Sequence, residues 1–353
     1  MRIKNIHQFS AGFNPGDAIS NEMLAIQKYF STLGIGGNLY SENIGKDKKF
    51  CKKFKTYSEK KSDLIIYHHS IHSNVLDFVL KANAPKILIY HNVTPYQFFQ
   101  SYDLKLTHYL KKGREELSEI REKFLIHFSD SKYNCDELSS LGFENVIELP
   151  IVIDFSKFSA KVVSKKTSEK KKIIFVGRLA PNKKQDDLIR FAKIYKDSFN
   201  RDFQLWILGN SSHELKSYKE ELELMIRFYD LKENVFLSNF ISDEKLIEHY
   251  STADLFLSLS EHEGFCVPLI ESMFFSVPIL AYSSSAVPDT LGDSGILFNK
   301  KDFLKVSVLA DRLLFDRKLK EQVIEKERER LKYFQMIRPE KILQEEIRKY
   351  FEL

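Results

Sequence analysis

Long apolar runs, paired cysteines and a strong charge of one sign are all missing from this sequence. Each absence removes a class of protein. No apolar stretch reaches the roughly 18 residues that span a bilayer, so any membrane contact is expected to be peripheral. Cys51, Cys135 and Cys266 lie far apart without a CxxC pair, which supports neither a zinc knuckle nor a disulfide framework. The opening MRIKNIHQFSAGFNPGDAIS lacks the apolar centre of a signal peptide, and a reducing cytoplasm is the expected setting. Lys plus Arg number 54 against 49 Asp plus Glu, a net +5 over 353 residues, too thin an excess for a dedicated nucleic-acid binder. What is present is equally informative: 43% apolar residues, 29 Phe and 16 Tyr exclude a disordered chain. The length exceeds one ordinary core and suits two domains.

Short, almost wholly apolar runs alternate with amphipathic stretches, the pattern of parallel sheets covered on both faces. Strands are expected at 3–9, 64–67, 87–90 and 124–128, with helices over 18–33, 75–81, 104–121 and 133–141. This first α/β unit ends near Pro150. The run KVVSKKTSEKKK at 161–172 carries six Lys and reads as a solvated linker. A second cycle follows, with strands at 173–176, 203–208, 235–237, 255–258 and 279–282 and helices over 186–195, 215–229, 245–250 and 269–275. The last 50 residues are helical and charged. The expected domains are 1–155, a linker over 156–172, and 173–336, with a tail helix at 337–353 packing back on the first domain.

Ligands of such sheets bind at the carboxyl ends of the strands, so the loops there are the place to look for chemistry. VGRLAPNKK holds Gly177, where backbone and ligand can approach closely, and two cations, Arg178 and Lys183, beside a helix start. Taken alone it serves equally as an exposed basic loop. SEHEGFCVPLIE follows the strand at 255–258, and Pro268 suits a first helical turn. The amides of Phe265, Cys266 and Val267 are then candidates to face an anion, and Glu271 to take a ribose diol, with Glu263 in the loop ahead. A capping and a solvated carboxylate explain the two Glu residues as simply. In the first half, Gly16-Asp17, His68-His69 and His91 lie at strand ends. No carboxylate falls near His68 and His69 at usual ligand spacing, so no metal is expected.

Together the segments are far more specific. VGRLAPNKKQDDLI, LWILG, ADLFLSLSEHEGFCVPLIESM, VPIL and SSSAVPDTLGDSGILF, in that order, resemble the retaining glycosyltransferases of family 4. GDAISN, IIYHHS and IYHNVTP in the first half resemble it more loosely. The resemblance implies an α/β GT-B fold: two Rossmann-like doubly wound domains facing a cleft. It also implies that the substrate is a nucleoside-diphosphate sugar, with no cofactor and no metal. Arg178 and Lys183 match the cationic pair on the donor diphosphate, with Gly177 in the same loop. Glu271 matches the carboxylate on the ribose, and Glu263 the one beside the sugar hydroxyls. Gly264, Phe265, Cys266 and Val267 match the loop beneath sugar and phosphates. His91 matches a first-domain histidine near the donor sugar, and Gly16 and Asp17 the glycine-bearing first loop. Lys184, Cys266 and Ser276 stand where the family has glycine, and Asp289 where it often has glutamate.

The resemblance implies transfer of a hexose to a hydroxyl of a glycan or lipid-linked acceptor. The style of the segments is similar to bacterial mannosyl- or glucosyltransferases of surface-polysaccharide assembly. Rivals are a nucleotide-sugar epimerase, a sugar phosphorylase and a non-catalytic sugar-nucleotide-binding protein. A dinucleotide-dependent dehydrogenase is disfavoured, because Gly34-Ile35-Gly36-Gly37 follows a helix and not a strand. Residues 46–61 carry eight Lys against two acids, with Phe50, Phe54 and Tyr57 interleaved. They read either as an anionic-membrane contact beside the acceptor or as a solvated loop.

Overall fold

A computed structural model of the chain describes all residues except 15, 46–48, 160–169, 200–201, 211–212 and 239–240. The chain divides into two compact units. Met1–Gln97, Lys105–Ile153 and Ile337–Leu353 form the first; Phe98–Leu104 and Asp154–Met336 form the second.

The first unit is built on β1 (Asn5–Phe13), β2 (Leu39–Ile44), β3 (Cys51–Lys53), β4 (Asp63–His69), β5 (Lys86–Tyr90), β6 (Ile126–Ser129) and β7 (Ile147–Glu148). They make one sheet in the order β3-β2-β1-β4-β5-β6-β7, with every pairing parallel. The helices are α1 (Ala18–Thr32), α2 (Asn74–Lys81), α3 (Leu104–Ile120) and α4 (Lys132–Ser140). The order reverses between β1 and β4, so the loops that follow these two strands diverge and leave a crevice at their carboxyl ends. β4 is buried along its whole length, as its unbroken run DLIIYHH requires.

The second unit carries β8 (Lys171–Val176), β9 (Phe203–Leu208), β10 (Val235–Leu237), β11 (Leu255–Ser258), β12 (Ile279–Tyr282) and β13 (Ile296–Phe298), in the order β10-β9-β8-β11-β12-β13. Its helices are α5 (Ser156–Ser159), α6 (Gln185–Phe199), α7 (Lys216–Phe228), α8 (Asp243–Thr252), α9 (Val267–Phe274), α10 (Val287–Leu291), α11 (Phe303–Phe315) and α12 (Arg317–Met336). Here the reversal falls between β8 and β11. The last helix, α13 (Pro339–Arg348), belongs to the first unit. Its Leu343 and Ile347 are buried among Ile3, Ile26 and Phe30, and Tyr29 donates to Gln344 at 2.6 Å.

Some boundaries differ from the expected ones. Lys171 and Lys172 open β8, so the linker stops short of them; most of it, 160–169, lies outside the described residues. Residues 156–158 are not linker either, and Phe155, expected in the first domain, groups with the second unit: Phe155 stacks on Phe274 at 5.9 Å and Phe158 lies tilted against it at 5.3 Å. Residues 98–104 group with the second unit, where Tyr102 donates to Glu221 at 2.8 Å. Strands β2, β3, β7 and β13 escape sequence reading: β3, β7 and β13 are two or three residues long, β2 mixes apolar and polar residues in LYSENI, and β3 is an edge strand with two exposed lysines.

Within 46–61 the interleaved aromatics do not share a face. Phe54 is buried, and the Tyr57 hydroxyl donates to Asp63 at 3.0 Å. Phe50 alone of the three is exposed, with the Lys49 ammonium 4.8 Å from its ring centre; residues 46–48 lie outside the described residues.

Glu327 of α12 is buried where β12 begins and accepts the Ile279 amide at 2.8 Å. Burial pushes its carboxyl up from 4.5 to about 8. A carboxyl that keeps its proton to a higher pH folded than unfolded costs the fold stability as pH rises between those values. Glu327→Gln keeps the amide acceptor and removes the ionisation. The fall in Tm between pH 6 and pH 9 should therefore be smaller in the variant, as calorimetry would read.

Candidate donor site

The reversal between β8 and β11 places the loops after these strands, 177–184 and 259–266, side by side. Hydrogen bonds join them. Asn182 donates through its side chain to the His262 carbonyl at 3.0 Å, and its own carbonyl accepts the Glu261 amide at 2.9 Å. Lys183 forms an ion pair with Glu263, its ammonium donating to Oε2. Both are largely buried, the Glu263 side chain 7% exposed. The cation expected on the diphosphate and the carboxylate expected on the sugar are thus paired with each other. Arg178 is exposed, and no ion pair involving it is seen among the described residues. Gln185 holds its loop by donating to the Arg178 carbonyl at 2.8 Å.

Glu263 is fixed from behind as well. Its amide donates to Ser285 Oγ at 2.7 Å, and its carbonyl accepts the Ala286 amide. Gly264 follows, then Phe265, whose carbonyl accepts the Thr290 hydroxyl. Helix α9 begins at Val267 with Pro268 in its first turn, and Cys266 as N-cap lends no side-chain hydrogen bond. No capping side chain satisfies the first turn; Pro268 has no N–H and the Leu269 amide donates to the Cys266 carbonyl at 3.1 Å, which leaves the Val267 amide beside Lys183 to meet an anion. Burial raises the Cys266 thiol well above its ordinary value, so it is not a reactive thiolate.

Glu271 lies one turn into α9 and accepts the Tyr250 hydroxyl at 2.7 Å. Burial raises its carboxyl despite that bond. Tyr250 stacks on Phe275 at 5.3 Å, which orients the hydroxyl.

The three positions at which glycine is expected all adopt positive φ: Lys184 at 53°, Cys266 at 74° and Ser276 at 54°. Ser276 ends α9, with its amide on the Met273 carbonyl and the Val277 amide on Ser272, the bond pair of a Schellman cap. An L side chain there costs roughly 1–2 kcal/mol, partly offset by its lower unfolded-state entropy. Ser276→Gly should raise stability by about 0.5–1 kcal/mol, read as a Tm gain of roughly 1–4 °C.

Site residues that sequence reading passed over are Asn182, Gln185, Gly209, Tyr250 and Ser285. A Cβ on Gly209 would lie 1.9 Å from the Gly177 carbonyl oxygen. The glycine of LWILG is therefore what lets the β8 and β9 loops meet.

In the first unit, Gly16 has φ 105° and its amide donates to Asn21 at 3.2 Å. Asp17 caps α1, its carboxylate accepting the Ser20 amide at 2.7 Å. That carboxylate is at least partly committed to the helix start. His91 does not emerge freely at the sheet edge: its side chain is 1% exposed. The lack of a nearby carboxylate in sequence also proves a poor guide. Glu22 of α1 joins His68 and His91, one ligand atom of each lying within 4.8 Å of the others. The two ring nitrogens, His68 Nδ1 and His91 Nε2, face each other at 2.8 Å. The rings are nearly coplanar at 6° with centres 5.1 Å apart, the separation of two imidazoles joined nitrogen to nitrogen in one line. Lone pairs so directed meet each other and not a shared ion, so this cluster fits a hydrogen bond better than a metal.

This is a doubly wound unit with a cation, an acid and an uncapped helix start gathered at its switch point. Residues 156–330 match the family model described as glycosyl transferases group 1, and this part of the chain belongs to that family. The chain is 25% identical over 210 residues to the capsular polysaccharide biosynthesis glycosyltransferase CapM of Staphylococcus aureus, 59% of this chain and 53% of CapM. It spans only 37% of two other curated relatives that it matches. Sucrose-phosphate synthase from Thermosynechococcus elongatus superposes with a TM-score of 0.76 at 15% identity, covering 94% of each chain. HepE from Anabaena, solved with UDP and glucose, does so at 0.74 and 14% identity, covering 98% of this chain and 99% of that one. These establish the GT-B fold. Among the described residues no helix is long and apolar enough to cross a membrane.

Proposed function

We propose that the chain is a retaining glycosyltransferase, moving a hexose from a nucleoside-diphosphate sugar to a hydroxyl of a glycan or lipid-linked acceptor in bacterial surface-polysaccharide assembly. The observation that carries this reading is the Lys183–Glu263 pair beside the uncapped start of α9. An arriving diphosphate competes for Lys183 and accepts from the Val267 amide. Glu263, released from its partner, then takes the hydroxyls of the attached sugar. Glu271 receives the ribose, with Tyr250 holding its carboxylate in place. As the bond to the sugar breaks, negative charge grows on the leaving phosphate. Lys183, Arg178 and the helix start stabilise it without reorganising, usually the largest catalytic contribution. Acceptor attack on the same face, assisted by that phosphate, retains configuration without an enzymic nucleophile.

A mannosyl or glucosyl donor is the preferred reading, and the likeness to CapM, a capsular polysaccharide biosynthesis glycosyltransferase, supports the polysaccharide setting. The protein is proposed to act in the cytoplasm, on the inner face of the membrane, with 49–61 as the contact. Replacing Lys49, Lys52, Lys53 and Lys55 with Gln should reduce co-sedimentation with anionic liposomes; unchanged binding contradicts the contact.

The function is tested by incubating the protein with uridine-, guanosine- and adenosine-diphosphate hexoses and bacterial lipid-linked acceptors. Acceptor-dependent release of nucleoside diphosphate, with a glycosylated product by mass spectrometry, is expected. Epimerised donor without acceptor, or turnover only with inorganic phosphate, would replace this reading by an epimerase or a phosphorylase. A glycosyl-enzyme trapped on Glu263 would overturn same-face attack.

A further inference from the structure

The hydrogen bonds around His91 fix its protons. The Gln8 amide nitrogen donates to the Met23 carbonyl at 2.8 Å, which turns Gln8 Oε1 toward His68 Nε2 at 3.0 Å. A carbonyl-type oxygen only accepts, so His68 Nε2 carries the hydrogen. His68 is fully buried, and burial together with the His91 charge holds it well below its ordinary value. It is neutral, and its Nδ1 is a bare acceptor. His91 Nε2, facing that atom at 2.8 Å, must therefore donate. The other nitrogen, His91 Nδ1, lies 3.1 Å from Asp130 Oδ2 and 2.9 Å from Oδ1. Glu22, fully buried, stands 3.6 Å from Nε2.

We propose that His91 is a buried imidazolium donating from both nitrogens, with Asp130 and His68 as the positioning residues that hold its proton and its ring. It is a fixed cation at the carboxyl edge of the first sheet, and it has no lone pair with which to act as a base.

Every element around the ring contributes. Asp130 follows β6, Glu22 lies on α1, Asp17 caps α1, and His68 and His69 end β4; Glu340 of α13 acts on Glu22. Burial opposes the charge on His91, but Asp130 above all, then Glu22 and Asp17, outweigh it and raise its pKa; burial also raises the Asp130 carboxyl and lifts that of Glu22 to about 8, so the hydrogen-bonded Asp130 is the partner that holds the proton on His91. The one consequence that rests on the transferase reading concerns mechanism. If His91 serves the reaction, it does so by charge and by donated hydrogen bonds, as same-face attack permits.

The test is ring-nitrogen NMR of the full chain labelled in histidine, from pH 5 to pH 9, with the His91 signal assigned through His91→Gln. Both His91 nitrogens should show imidazolium shifts at pH 7, beside a neutral Nε2–H tautomer for His68. Asp130→Asn should move the His91 midpoint down by at least one pH unit, with the alkaline limb of the kcat–pH profile following it. A neutral His91 at pH 7 in the wild type would overturn the proposal, whether or not the variant folds. The NMR readouts need no substrate, so their failure is distinct from failure of the transferase reading, on which the kcat–pH profile alone depends.

Discussion

Lys183→Gln should lower kcat by about 10²–10³-fold, the loss that follows removal of one preorganised donor from a developing negative charge. The ammonium stands beside an uncapped helix start, where the charge of a leaving diphosphate would concentrate. Without it, the exposed Arg178 and the Val267 amide at the start of α9 remain, among the described residues of these loops, to meet that charge. The substitution has a second effect. Glu263 is nearly buried and loses its partner, and an uncompensated buried carboxylate destabilises a fold. The double variant Lys183→Gln with Glu263→Gln separates the two. It should recover most of the lost Tm and little of the lost kcat. Lys183→Arg should keep part of the activity, because the charge stays while the geometry changes. Steady-state kinetics with saturating donor, alongside a thermal melt, reads both. Unchanged kcat in the folded single variant would mean that Lys183 does not touch the leaving group.

Gly209→Ala should destabilise the second unit by about 3 kcal/mol, since overpacking a site whose neighbours cannot yield costs at the upper end of the usual range. A Cβ there would meet the Gly177 carbonyl oxygen at 1.9 Å and its carbon at 2.6 Å. Both atoms are backbone, in a loop held by the Gly177 amide on Leu208 at 2.9 Å and the Leu179 amide on Asn210 at 2.9 Å. Neither can rotate away as a side chain would. For a unit of this size the expected fall in Tm is roughly 6–12 °C. Donor affinity should fall as well, because Gly177 and Arg178 must shift. Gly12→Ala is the contrast: its Cβ would meet nothing nearer than the Asn43 carbonyl oxygen at 3.9 Å, and the melt should barely move.

Much of this was legible in the sequence, and the parts that were not share a cause. The buried runs ILIY at 87–90 and LFLS at 255–258 could hardly be anything but interior parallel strands, and they fix the topology around them. The left-handed positions 184, 266 and 276 were marked by residues standing where glycine is expected, and all three have positive φ. Polar contacts between distant segments were hidden. Glu22 meets His91 across 69 residues of chain, and Tyr250 reaches Glu271 from another helix. Nothing in local spacing announces such pairs; the sheet order brings them together. Lys183 and Glu263 were each readable from their loops, but not that they would be paired. That follows only once β8 and β11 are known to be neighbours.

The central claim is that the loops after β8 and β11, with the start of α9, form a diphosphate site. Calorimetric titration of uridine and guanosine diphosphates, without sugar and without added divalent ion, tests it most directly. One equivalent of at least one of them should bind to the wild type. Lys183→Gln should weaken that binding at least tenfold, and His91→Gln should retain more of it than Lys183→Gln. Absence of binding by either nucleotide, or equal binding by wild type and Lys183→Gln, would contradict the account.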